Sequence, residues 1–412
     1  MSRMTGAAHV TACRACGGAL GATFCDLGVQ PVANSYIPPE QADRPEPRFP
    51  LRCVVCRDCR LVQLDTVVDA EGIFSDYAYF SSASASWLDH AARFSRGMIA
   101  RFALGRHSFV VEVASNDGYL LRNFVGAGIP CLGVEPAANV AEVARAHGVP
   151  TEARFFGEGY ARDLVERRGH ADLIAANNVL AHVPAVQDFV AGLAVLAGPR
   201  GVVSIEAPHL LRMVEGVQFD TIYHEHYAYW SLRAMEALLL RHGLRVFDVE
   251  RLATHGGSLR VLASAADRGE SEGLRAVRAE EAAKGLDGDA FYRGFEDRVR
   301  ITLDGFRAWL RDAKGRRIGA YGAAAKGNTF LNAAGATASD ILAVADRSTA
   351  KQGRLLPGSR IPVVTPEVLL AMPLDDILVL PWNIGAEIAS QIRAAGFRGR
   401  VWIAVPAMRE IA

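Results

Sequence analysis

Two α/β units, each a parallel sheet covered by helices, set behind a small cysteine-rich N-terminal module: this is the fold class that the 412-residue sequence predicts. Three observations lead there. From residue 108, short apolar runs alternate with longer amphipathic stretches, as in a sheet whose strands are joined by helical crossovers. The alternation stops in a charged helical segment at 266–315 and then restarts. Ahead of it, five of the seven cysteines stand in C-R-A-C and C-V-V-C-R-D-C, which are metal-ligand spacings. The length leaves room for two or three domains of roughly 100–200 residues, and boundaries are expected at 1–75, 76–265 and 266–412.

Composition narrows the function classes. Half of the residues are hydrophobic, and 45 Lys plus Arg balance 45 Asp plus Glu. A chain without net charge lacks the basic footprint of a nucleic-acid or anionic-membrane binder, so no partner of either kind is expected. No apolar run approaches the roughly 20 residues of a membrane span. MSRMTGAAHV, at the N-terminus, has no apolar signal-peptide core. A cytoplasmic location follows as an expectation. The sequence sets no oligomeric state and is compatible with a monomer.

Residues up to about 65 are rich in Gly, Pro and Cys and poor in regular periodicity. Two C-x2-C knuckles can wrap four thiolates around Zn²⁺, and a module this small needs such a staple. Cys13, Cys16, Cys56 and Cys59 are the preferred ligands, in a closed, structural site. Cys53 with Cys56 makes a competing knuckle, but alternation along LRCVVCRDC puts Cys53 in the incoming strand. A helix is expected from Leu88 to about Leu104.

The first α/β unit takes its strands from 109–115, 131–135, 171–177 and 201–208, with 245–252 and 258–265 as an antiparallel closing pair. VVEVASNDGYLL (110–121) reads as strand, tight turn and helix start. Glu112 lies in the strand, and Glu135 ends the next one, where a carboxylate can accept both ribose hydroxyls of a nucleoside. A dinucleotide or S-adenosylmethionine would both fit that geometry. Pyrophosphate binding favours G-x-G-x-x-G. Here Ala114, Asn116 and Gly118 stand in those places and Asp117 adds negative charge, a poor phosphate cradle but a tolerable home for a sulfonium and an amino-acid tail.

The second unit takes strands from 317–322, 341–346, 361–364, 376–381 and 401–405. In RRIGAYGAAAKGNTFLN, Lys326, Gly327 and Asn328 offer a cation and backbone N–H groups at a helix start, which suits a diphosphate. The segment lacks G-x-x-x-x-G-K-[ST], which excludes an ATP-hydrolysing P-loop. Trp382 and Asn383, in LPWN after a later strand, are candidates to hold a nucleotide, the Trp by stacking on its base.

VVEVASNDGYLL, GVEPAANVA, NNVLAHVPAVQDFV and FDTIYHEHYAYWS together closely resemble the deoxysugar C-methyltransferases. The resemblance spans the whole chain, with Cys53 and the Tyr229–Trp230 tail as departures. It implies a zinc-binding N-terminal domain, a Rossmann-like class I methyltransferase domain and a second Rossmann-like α/β domain that contributes to nucleotide-sugar binding. The implied reaction moves the methyl of S-adenosylmethionine to the third ring carbon of a nucleotide-linked 4-keto deoxysugar, with dTDP as the expected nucleotide. By the same resemblance Asn177 and Asn178 belong to the cofactor site, and Tyr77 and His182 to the catalytic group.

Carbon methylation beside a ketone needs a base for the ring C–H, donors for the enolate oxygen and in-line placement of the methyl. Tyr223, His224, Glu225, His226 and Tyr227 crowd that set into one stretch. His226 is the expected base, as an imidazole titrating at roughly 6–7. Glu225 is its alternative or partner, and Tyr223 a donor to the sugar oxygen. O- or N-methylation of a similar sugar, or a non-catalytic binding protein of the same fold, remain the rival readings.

Overall fold

Strands buried on both faces read as unbroken apolar runs, and the central sheet is built from them. The computed structural model describes residues 6–68, 81–83 and 85–411. Its strands are β1 (Ala7–His9), β2 (Leu20–Pro31), β3 (Arg48–Cys56), β4 (Val62–Leu64), β5 (Thr66–Val68), β6 (Val110–Val113), β7 (Cys131–Val134), β8 (Thr151–Glu152), β9 (Leu173–Asn177), β10 (Val202–Pro208), β11 (Ala228–Tyr229), β12 (Arg245–Leu252) and β13 (Ser258–Ser264), followed by β14 (Ile318–Tyr321), β15 (Val344–Ala345), β16 (Val363–Val364), β17 (Asp376–Val379), β18 (Arg400–Ile403) and β19 (Arg409–Ile411).

The central sheet has the order β12-β13-β10-β9-β6-β7-β8. Its five strands from β6 to β10 run parallel, and β13 enters antiparallel between β10 and β12. Chain order reverses between β6 and β9, so a crevice opens at their carboxyl ends, where such sheets bind ligands. The C-terminal sheet, β16-β15-β14-β17-β18-β19, repeats the device with its reversal between β14 and β17. Thr365 caps the helix Pro366–Ala371 by accepting from the Val368 N–H, with Pro366 at its first position.

The N-terminal segment departs from the sequence reading. Where the sequence reads as poor in periodicity, with one strand at Cys53, it forms the antiparallel sheet β11-β4-β3-β2, with β1 and β5 paired to each other. Register shifts between Leu20 and Thr23, Thr23 and Cys25, and Asp26 and Val29 bulge β2. Each bulge resets the inside–outside alternation, which hides a twelve-residue strand from a period-two reading. β8, two residues long at the sheet edge, also escaped.

This N-terminal sheet packs between the two α/β units. Cys13, Cys56 and Leu61 share one buried cluster with Val111, Ile174 and Ile205 of the central sheet. Phe24, Leu51 and Leu64 share another with Phe219, Phe295 and Phe330, and Phe24 stacks on Phe295 at 4.4 Å.

The four expected cysteine sulfurs lie within 4.8 Å of one another, with Cys13–Cys59 at 3.5 Å and Cys16–Cys56 at 3.4 Å. Tetrahedral zinc with Zn–S bonds of 2.3 Å needs sulfurs about 3.8 Å apart, so the group fits that ion. Both knuckles turn the same way: the Gly18 N–H points at Cys16 Sγ and the Asp58 N–H at Cys56 Sγ, each at 3.4 Å. Those donors stabilise thiolates. Cys53 lies outside the group, buried in β3 and facing Cys25 across the β2–β3 ladder.

Structural zinc contributes folding free energy directly. Metal analysis should find about one Zn²⁺ per chain. Cys16→Ser should lose it and unfold the N-terminal sheet, whereas Cys53→Ser should keep it. Full zinc in the first variant, or its loss in the second, would overturn this ligand set.

Candidate active site

At the carboxyl end of β6 the chain turns with positive φ at Ala114 (56°), Asn116 (49°) and Gly118 (78°). A side chain at Gly118 would start 2.8 Å from Val149 Cγ2, so glycine lets the turn lie against the chain leading into β8. Left-handed Ala and Asn store strain that surrounding bonds must hold. Glu135 does part of this, accepting the Asn116 and Ala137 N–H groups at 2.9 Å each. Ser81 and Ser82 close over the turn, donating to Asn116 Oδ1 at 2.8 Å and to Asp117 Oδ2. Behind them Trp87 stacks on Tyr119 and on His90, whose Nε2 meets the buried Glu206 at 2.9 Å.

Several polar atoms here are buried with no hydrogen-bond partner among the described residues: Glu112 Oε2, Asp117 Oδ1, Asn177 Oδ1 and both amide atoms of Asn178. Each such atom costs about 1–3 kcal/mol unless something completes it. Burial holds Glu112 well above the usual carboxylate range, with the negative charge of Glu135 adding to it. A cationic ligand carrying hydroxyls would relieve both penalties, and a phosphate would worsen them. The group therefore fits S-adenosylmethionine, with Glu112, Ala114, Asn116, Asp117, Gly118, Glu135, Asn177 and Asn178 brought to one crevice.

The aromatic stretch is pinned at both ends. Upstream, Phe219–Thr221 form a 3-10 turn, and Phe219 packs on Phe330. Downstream, the Tyr227 N–H donates to Ala181 O at 2.7 Å, Tyr227 O accepts from the Leu64 N–H at 3.0 Å, and β11 joins β4. Tyr227 and Trp230 are fully buried and serve packing; His224 packs edge-on to Phe49.

Between the pins lie the polar groups. His226 Nδ1 donates to Thr221 O at 2.9 Å, which leaves Nε2 as the acceptor, 2.6 Å from the Tyr223 hydroxyl. His182 Nδ1 donates to Glu225 O at 2.8 Å, and its ring meets that of His226 at 4.6 Å. Burial pushes His226 well below the ordinary imidazole range, with His182 adding to the shift, so the expected titration at roughly 6–7 does not describe this group. His182 falls to about 4, also by burial. Burial raises Glu225 to about 7, against hydrogen bonds from Asn34. Tyr77 lies outside the described residues.

The C-terminal unit meets this turn directly. Trp382 Nε1 donates to Asp220 Oδ2 at 2.7 Å, Lys326 Nζ sits 4.8 Å over the Trp382 ring, and it bonds Asn383 Oδ1 at 2.8 Å. Burial raises Asp220 to about 6, opposed by Lys326. Gly327 and Asn328 are buried, and Asn328 Nδ2 donates to Ala33 O at 2.6 Å. Lys326, Trp382 and Asn383 thus gather beside the Phe219–Thr221 turn, apart from a cavity of about 680 Å³ lined by Tyr321, Arg347, Gln352, Thr365 and Gln391. Sequence reasoning missed Asn34 and Asp220. Asp220 stands within the quoted aromatic stretch and could have been noticed; Asn34 carries no local signal.

Removing Glu135 should cost roughly 1.5–3 kcal/mol, as for hydrogen bonds to a charged group. Glu135→Ala should weaken S-adenosylmethionine binding about 10- to 100-fold with zinc content unchanged, as calorimetry would read. Unaltered affinity would move the cofactor elsewhere.

Family models match three stretches of the chain: a zinc binding domain at 13–74, a methyltransferase domain at 87–249 and a C-methyltransferase C-terminal domain at 253–406. The C-methyltransferase NovU of Streptomyces niveus is 35% identical over 383 residues, covering 91% of this chain and 90% of the relative. Among solved structures, an S-adenosylmethionine-dependent methyltransferase from Clostridium acetobutylicum aligns at 11% identity and TM-score 0.36, covering 44% of this chain and 92% of its own. Magnesium protoporphyrin IX methyltransferase from Synechocystis aligns at 16% identity and TM-score 0.35, covering 43% and 82%. A class I strand order, a cofactor crevice of the right chemistry, a four-cysteine zinc site and a relative matched over nine-tenths of both chains agree: the protein belongs to the zinc-containing, S-adenosylmethionine-dependent C-methyltransferases.

Proposed function

We propose that the chain methylates the third ring carbon of a nucleotide-linked 4-keto deoxysugar through an enolate, with His226 as general base. One observation carries the reading: an imidazole whose Nδ1–H is tied to Thr221 O turns its unprotonated Nε2 to the Tyr223 phenol at 2.6 Å, on a half-buried side chain. That is the equipment for removing a proton beside a ketone and receiving the charge that results.

S-adenosylmethionine, when bound, supplies an electrophilic methyl group. His226 Nε2 takes the ring proton, and the C–H electron pair moves into the carbonyl system to make the enolate. Protonated Nε2 no longer accepts from Tyr223, so the phenol is released to donate to the enolate oxygen. Tyr77 is proposed as a second donor, and His182 holds the backbone of Glu225 while flanking the base. Glu225 Oε1, buried and without a partner among the described residues, would accept from a sugar hydroxyl or share the proton.

Residues 266–412 are proposed to grip the nucleotide, dTDP being the expected one, with residues 76–265 holding the methyl donor and residues 1–75 the zinc. Lys326, with the N–H of Gly327 in the first turn of the helix Ala325–Ala334, suits the diphosphate, and Trp382 and Asn383 border it; the Asn328 N–H, expected to join them, is spent on Ala324 O at 3.1 Å. No helix among the described residues is long and apolar enough to cross a membrane.

His226→Ala should lose on the order of 10²–10⁴ in turnover while binding both ligands, since the imidazole acts mainly in the transition state. Deuterium exchange from solvent into unmethylated sugar should vanish with it. Undiminished exchange would pass the role to Glu225 or His182. The pH profile separates the two groups. Glu225 protonates as pH falls through about 7, whereas His226 stays neutral well below that. Activity should therefore decline below about pH 7 in the wild type, and Glu225→Gln should remove that limb. A limb that survives Glu225→Gln would sink the assignment of the carboxylate.

A further inference from the structure

The loop after β2 carries Asn34, which no motif marks and the proposed chemistry leaves unused. Its Nδ2 donates to Glu225 Oε2 at 2.5 Å, and its backbone N–H also favours the charged carboxylate. The loop is itself clamped. Asn328 Nδ2 donates to Ala33 O at 2.6 Å, Tyr36 Oη donates to Ala323 O at 2.5 Å, and Ile37 bridges to Leu355. At its other end β2 begins at Leu20, opposite the zinc-site residue Cys56. A single asparagine thus reaches from the zinc-stapled sheet to one oxygen of a buried carboxylate, and the other oxygen faces no partner among the described residues.

We infer that Asn34 is a positioning residue for Glu225, through which the zinc module completes the active site by fixing which carboxylate oxygen meets the substrate. The inference rests on the proposed participation of Glu225 in proton removal. A carboxylate free to rotate about its last torsion would offer either oxygen; a donor locked to Oε2 leaves Oε1 in one place, and placement within a few tenths of an ångström governs such steps. The charged and titratable neighbours of Glu225 are Lys351, His182, His224 and His226. Lys351 Nζ is held by Ala323 O at 2.8 Å and lies 3.6 Å from Asp346; His182 bonds the Glu225 backbone; His224 Nε2 meets Phe49 O at 3.3 Å and His226 Nδ1 meets Thr221 O. In none of these bonds is the Glu225 carboxylate the partner.

The test uses the full chain, zinc-loaded, with S-adenosylmethionine and a dTDP-linked 4-keto deoxyhexose. Asn34→Ala should keep its zinc and its affinity for S-adenosylhomocysteine, lose about 10- to 100-fold in kcat, the range of one charged hydrogen bond, and leave KM nearly unchanged. Its acid limb should move to higher pH, because a donor to the charged form is gone. Asn34→Asp, nearly isosteric, guards against a folding defect and should move the limb further, by setting a second carboxylate against the first. In a Glu225→Gln background, Asn34→Ala should add nothing. An unshifted limb in either variant, or a loss fully additive with Glu225→Gln, would overturn the inference while leaving the role of Glu225 intact. Full activity of Glu225→Gln alone would instead remove the reading on which the inference rests.

Discussion

The structure depends on a segment of the central unit being strung across another sheet. Residues 219–231 leave the methyltransferase sheet, carry Tyr223, Glu225 and His226, and add β11 to the edge of the zinc-stapled sheet through Ala228–Gln63 and Tyr229–Val62 pairing. Tyr227 ties the crossing from both sides, to Ala181 of the central unit and Leu64 of the N-terminal sheet. A segment so rich in polar side chains would not hold one conformation by burial alone, because each desolvated group needs a partner. Backbone pairing with two rigid neighbours supplies the order, and between the pins Tyr223, His224, Glu225 and His226 each take a hydrogen-bond partner of their own.

Zinc acquires its importance from that arrangement. Four cysteines staple one end of the N-terminal sheet, and they share a core with Val111 and Ile174, close to the cofactor turn. The same sheet carries β4, which receives β11, and leads into the loop of Asn34. Loss of the metal would loosen the edge to which the segment bearing Tyr223, Glu225 and His226 is paired.

Electrostatics in the cleft is governed by burial more than by pairing. Desolvation drives His226 and His182 down and Glu225 and Asp220 up, so that histidines stay neutral while carboxyl groups titrate near neutrality. That inverts the ordinary order of these side chains in water. On the proposed mechanism this divides the labour: an imidazole that stays neutral well below its usual range, and a carboxylate whose charge changes near pH 7. Lys326, reaching the same region from the C-terminal unit, brings a cation to a site that otherwise collects acceptors.

The sequence by itself determined the two parallel sheets, the zinc ligands and the acidic turn at the cofactor crevice. Those features are local: apolar runs, C-x2-C spacing and the Ala114–Gly118 turn are set by residues adjacent in the chain. It also marked Tyr223, Glu225 and His226, since a solvated loop or a core would not gather them. Tertiary structure decided the rest. The N-terminal sheet was hidden because bulges in β2 break the alternation that reveals strands. Asn34 was hidden because its partner lies 191 residues away, and Trp382 reached Asp220 across 162. The protonation order of the cleft could not be read from residue types, because a pKa there reflects how much water the fold removes, and only the packed chain fixes that quantity.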